Sequence, residues 1–158
     1  MMGVRGTRVQ CINNQFIDVN TLDHRIPSQG IEVWMTDCSK HTVYYRINAN
    51  QATRLCTALS KIVDHKCTQT IVKYGYGGVD VITIILSDDD TVTIEGMGMI
   101  GSNNCRPTKV SITVSIDNVK SIVNALIAMR DYFVREHQAY LQRAEARKRL
   151  CARFKKRK

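Results

Sequence analysis

The chain has 158 residues, 44% of them hydrophobic and 23% charged, with six cysteines and a formal net charge of +9. This length suits one domain, or one domain of two halves, that buries its own core without a disulfide or metal. No stretch reaches the roughly 18 to 20 uncharged apolar residues of a transmembrane helix, and Met1–Gln10 lacks the apolar run of about 7 to 15 residues that a secretory signal requires, so a cytoplasmic protein with reduced thiols is expected.

Residues 8–13 form a first candidate strand. Between Asn14 and Ile26 the pattern is broken by Asp18 and Asp23, with Pro27 just beyond, and no clear strand is read there. In Ile31–Thr36 the residues Ile31, Val33 and Met35 alternate with Glu32, Trp34 and Thr36, and in Thr42–Ile47 the residues Val43, Tyr45 and Ile47 alternate with Tyr44 and Arg46. This period of two marks half-buried strands, joined by a turn at Ser39-Lys40. The period then changes to that of a helix: Ala52, Leu55, Cys56, Leu59, Ile62 and Val63 fall on one stripe, behind the capping candidates Asn48 and Asn50.

Strands are predicted again at 70–74, 79–86, 91–97 and 110–115, with Asp88-Asp89-Asp90 as a polar hairpin tip and connecting loops at 75–78 and 98–107. A second helix starts near Asn118, with Ile122, Leu126, Met129 and Phe133 spaced by three and four. No Pro or Gly interrupts it to Lys158, although its apolar pattern weakens through Tyr140, Ala144, Leu150 and Phe154. Laying 43–59 over 110–126, an offset of 67, matches Val43 with Val110, Ile47 with Val114, Asn48 with Ser115 and Leu55 with Ile122. An internal repeat is therefore expected, residues 7–66 and 68–135, within an α+β body spanning 1–142.

The charge is unevenly distributed. Residues 143–158 hold nine basic side chains (Arg143, Arg147, Lys148, Arg149, Arg153, Lys155, Lys156, Arg157 and Lys158) against Glu145, a net +8, whereas the other 142 residues hold 14 basic and 13 acidic ones. Attraction to a polyanion is thus concentrated in the C-terminal segment.

Two successive units of about four strands followed by a helix resemble the plan of the PUR-repeat and Whirly families, whose members bind single-stranded nucleic acid. The resemblance spans most of residues 7–135 and lies at the level of topology. It implies binding on the exposed sheet face, where stacking requires outward aromatic rings beside cations. The first unit offers Trp34, Tyr44 and Arg46, and Lys73, Tyr74 and Tyr76 open the second. The rest of the second unit presents Thr91, Thr93, Glu95, Ser111 and Thr113 instead.

No catalytic constellation stands out. Gly96–Gly101 has the G-x-G-x-x-G spacing but leads into a loop rather than a helix. Cys38, His41, His65 and Cys67 lack a zinc-finger spacing, so no metal or cofactor is expected. The sequence points to a non-enzymatic binder of single-stranded DNA or RNA, with the tail as a second contact. The alternative is a regulatory or inhibitory protein that docks on a protein partner or sequesters a small anionic ligand. Exposed strand edges and the long helix favour a homo-oligomer.

Overall fold

In the computed structural model, residues 6–27, 30–74, 80–99 and 107–157 are described. The first half contains β1 (Gly6–Gln10), β2 (Phe16–Thr21), β3 (Ile31–Thr36), β4 (Thr42–Ile47) and α1 (Ala49–Val63). The second contains β5 (Gln69–Tyr74), β6 (Asp80–Leu86), β7 (Thr91–Met99), β8 (Pro107–Ser115) and α2 (Ile116–Lys156). The fold is α+β, with two antiparallel four-stranded sheets ordered β1-β2-β3-β4 and β5-β6-β7-β8. No described helix is long and apolar enough to cross a membrane.

The second strand of the first sheet, β2, is the segment that the sequence pattern leaves unassigned. Ile17, Val19 and Thr21 of β2 are buried while Phe16, Asp18 and Asn20 face outward, so Asp18 occupies the solvent side of a regular alternation. The first strand also begins earlier than expected and ends at Gln10. A short turn at Ile12–Asn14 follows, with Asn13 and Asn14 at φ 56° and 58°, a left-handed conformation that asparagine tolerates.

The same local chemistry opens both helices. Asn48 accepts the Gln51 amide while the Gln51 side chain accepts from Asn48 N, and Ser115 and Asn118 form the same reciprocal pair. These positions are 67 residues apart, like the matched strand positions. The strand registers show where that offset changes. Arg8, Asp18, Trp34 and Tyr44 lie in one row across the first sheet, as do Ile71, Thr83, Glu95 and Ser111 across the second. Tyr44 and Ser111 keep the offset, but Trp34 precedes Tyr44 by ten residues and Glu95 precedes Ser111 by sixteen, so the longer β7–β8 connection absorbs the difference.

Each helix covers the sheet of the other half: α1 packs on β5 and β6, and α2 runs across β1, β2 and β3. The two helices also pack on each other, with Cys56 Sγ 4.0 Å from Val123 O, a contact between equivalent positions of the two halves. Both inner sheet faces therefore share one core, in which Ile17, Ile31, Met35, Ile47, Ile82, Ile84, Ile112 and Leu126 are almost fully buried.

Among the described residues, two polar side chains join the sheets. Tyr45 Oη lies 3.1 Å from both Val81 O and Met97 O, and Gln15 Oε1 accepts Thr113 N at 3.1 Å. Gly96 sits at this junction. A Cβ there would overlap Met35 Cε and stand 2.7 Å from Tyr45 Oη, so the first glycine of the G-x-G-x-x-G string permits sheet packing.

Burial also separates the cysteines. Desolvation pushes the Cys11 thiol up to about 11 and raises that of Cys56, whereas Cys38 and Cys151 are exposed. With limiting iodoacetamide at pH 8, peptide mapping should find Cys38 and Cys151 alkylated at least about tenfold faster than Cys11 and Cys56. Equal rates would contradict this burial.

Candidate nucleic-acid interface

The centre of the first sheet's outer face is set by pairing across strands. Trp34 on β3 and Tyr44 on β4 are register partners, and their rings stack with centroids 4.8 Å apart and planes inclined by 24°. Both are half-buried, so each presents ring surface to solvent. Glu32, two residues from Trp34 on the same face, accepts the indole N–H and also accepts Arg46 Nε at 3.1 Å. Arg46 in turn reaches over Tyr44, its Cζ 5.7 Å from the ring centre. One carboxylate thus fixes the indole and the guanidinium.

Arg8 and Phe16 extend the face across β1 and β2. Arg8 donates to both Asp18 oxygens, at 2.7 and 3.0 Å, and its Cζ lies 4.0 Å from the Phe16 ring centre. Phe16 escapes a reading of the sequence because β2 is not legible there as a strand, and Arg8, at the start of the first candidate strand, is marked only by its pairing with Asp18. The alternation of Ile17 and Val19 with polar neighbours was the available signal. The face therefore carries three aromatic rings and two guanidiniums, each guanidinium paired with a carboxylate.

Lys73 belongs to the second sheet, on β5 opposite Val81, and no cross-strand pairing joins it to Trp34 or Tyr44. Tyr74 ends β5 opposite Asp80, and its side chain lies outside the described residues, as do Tyr76, Cys105 and Lys158. In the second sheet Glu95 and Ser111 take the register positions of Trp34 and Tyr44, with Lys109 Nζ 3.4 Å from Glu95.

The basic tail forms the last turns of α2. Phe133 is the last buried residue of that helix, and His137 then hydrogen-bonds the His24 carbonyl at 2.6 Å through Nδ1, while Tyr140 packs edge-on against His24. From Leu141 to Arg157 every residue except Ala144 is exposed.

The histidine and cysteine candidates are not gathered. His41 pairs with Asp37 at 3.4 Å in the β3–β4 turn, and His65 with Asp90 at 3.2 Å. Among the described residues no three His, Cys, Asp or Glu side chains are grouped to hold a metal ion. In the Asp88–Asp90 turn, Asp89 accepts from Thr91 Oγ1 and N, which holds its carboxyl below the usual range.

The chain matches no known protein family and no curated protein. Its functional reading rests on this face and on the helix that leaves the body.

Proposed function

We propose that the chain is a non-enzymatic binder of single-stranded DNA or RNA that stacks bases on Trp34 and Tyr44. The observation that carries this reading is the Trp34–Tyr44 stack on an open sheet face, held in place by Glu32. Unpaired bases expose π-faces that a duplex hides, and a fixed aromatic platform loses little side-chain freedom on binding them. Phe16 extends the platform, Arg46 and Arg8 reach phosphates at its margin, and the tail adds long-range attraction. The repeated order of four strands and a helix, the plan of the PUR-repeat and Whirly families, supports the same reading. Lys73 is a peripheral contact at most, since it stands on the other sheet.

A protein partner is the second reading. It is favoured by the neutral pairing of Arg8 and Arg46 and by the exposed Ile71 and Met97 on the outer face of the second sheet.

Trp34 is the chain's single tryptophan, so its fluorescence reports on this face alone. A single-stranded oligonucleotide should quench it, with a midpoint equal to that from anisotropy of the labelled strand. Binding without quenching would place the strand elsewhere.

Glu32→Gln should release Arg46 from its carboxylate partner. Affinity for the single strand should then rise about three- to tenfold, and the plot of log K against log salt should steepen by about 0.7. A titration series between about 50 and 200 mM salt measures both, and an unchanged slope would mean that Arg46 meets no phosphate.

A further inference from the structure

We infer that the exposed end of α2, from Arg143 to Lys156, is a preformed cationic helix that seats in the major groove of duplex DNA, a site separate from the sheet face. The geometry of the charges carries the inference. The segment is helical to Lys156 without Gly or Pro and is about 20 Å long. Such a helix is about 10–12 Å across with its side chains, and the B-DNA major groove is about 12 Å wide.

At 100° per residue, the seven basic residues from Arg143 to Lys156 surround the helix axis with no gap wider than about 80°. A helix that lies on a membrane needs an apolar face opposite its charged one. A helix that docks on a protein surface needs an apolar stripe free of charge. Cations on every side match surroundings that are negative on both flanks, as the two phosphate walls of a groove are. The single acidic residue, Glu145, is engaged with Arg149 at 3.7 Å.

One stripe differs from the rest. Arg143, Arg147, Leu150 and Phe154 fall within about 60° of one another around the axis, and Leu150 and Phe154 are 52% and 68% exposed. Arginine pairs with the guanine edge and an apolar side chain meets the thymine methyl, so this stripe suits the groove floor. Arg153 and Lys155, about 90° and 110° from the centre of that stripe, then face the walls. Duplex RNA is excluded by its deep, narrow major groove.

The test uses the full chain and a charge-conserving variant, Ala146→Pro/Ala152→Pro, which breaks the helix beyond the last buried residue. Anisotropy at about 0.1 M salt compares a labelled mixed-sequence DNA duplex of about 16 base pairs with the RNA duplex of the same sequence. The native chain should bind the DNA duplex at least about tenfold more tightly than the RNA duplex, and the proline variant should lose at least about tenfold on DNA. An unchanged Trp34 emission in the variant shows that the body is intact. Equal affinity for the two duplexes, or a proline variant that binds DNA as the native chain does, would overturn the inference and leave charge alone as the cause. Quenching of Trp34 by a single strand is read separately, so failure of either site is distinguishable from failure of the other.

Discussion

Trp34→Ala/Tyr44→Ala is expected to lower affinity for a single-stranded oligonucleotide on the order of a hundredfold while leaving the protein folded. Each base stacked on an aromatic ring is worth about 1–3 kcal/mol, so losing two platforms removes about 2–4 kcal/mol with some overlap between them. The cost to stability should be smaller, about 1–2 kcal/mol, because both rings are half-buried and stand on the face opposite the shared core. Glu32 loses one donor but keeps Arg46 at 3.1 Å, so it is not left without a partner. Anisotropy of a labelled strand is the appropriate readout, since the variant has no tryptophan. Residual binding should be that of the tail, steeply dependent on salt and indifferent to base identity. An affinity unchanged within about twofold would move the single strand away from this face and strengthen the protein-partner reading.

The largest effect on stability is expected at Gly96. Even the first side-chain carbon at this position overlaps Met35 Cε and comes within 2.9 Å of Val43 Cγ1, and all three positions belong to the packed junction of the two sheets. Gly96→Val should therefore destabilise the fold by about 3 kcal/mol or more, read as a lowered urea midpoint. Tyr45→Phe alone should cost about 1 kcal/mol through loss of the hydroxyl between Val81 O and Met97 O. Because Tyr45 Oη is one of the atoms that crowds a new Cβ, Gly96→Ala and Tyr45→Phe should combine to less than the sum of their separate costs. A native midpoint for Gly96→Val would mean that the two sheets do not meet there.

Glu32→Gln tests a narrower question, whether a cation already paired with a carboxylate contributes to phosphate binding. The answer bears on how a near-neutral body attracts a polyanion. Arg8 with Asp18 and Arg46 with Glu32 add no net charge to the face, so in this reading the sheet supplies preference for single strands while the end of α2 supplies reach.

Much of this architecture was legible from local periodicity. The alternation in 31–36 and 42–47, the helical stripe from Ala52 to Ile62 and the cap at Asn48 lie where the sequence put them, because each depends on residues a few positions apart. The same is true of the orientation of Trp34, Tyr44 and Arg46. A strand alternates its faces by covalent geometry, so fixing Val43 and Tyr45 inward fixes Tyr44 and Arg46 outward. The concentration of charge beyond residue 142 needed only counting.

Other features depended on distant neighbours. β2 was obscured because Asp18 reads as a strand breaker until Arg8, ten residues away, is seen to bind it on the solvent side. Phe16 entered the candidate site only with that strand, and Arg8 through its pairing with Asp18. That Glu32 ties Arg46 and Trp34 together follows from the β3–β4 register, which brings Glu32 opposite Arg46 across fourteen residues. The exchange of helices between the sheets and the closeness of Gly96 to Met35 are further removed. They are set by how two sheets and two helices close around one core, a non-local packing problem that strand and helix periods leave open. The sequence by itself determined which residues alternate, where the helices start and where the charge lies. Tertiary structure decided which helix covers which sheet and which cations of the face are already neutralised, because both depend on contacts between segments that only folding brings together.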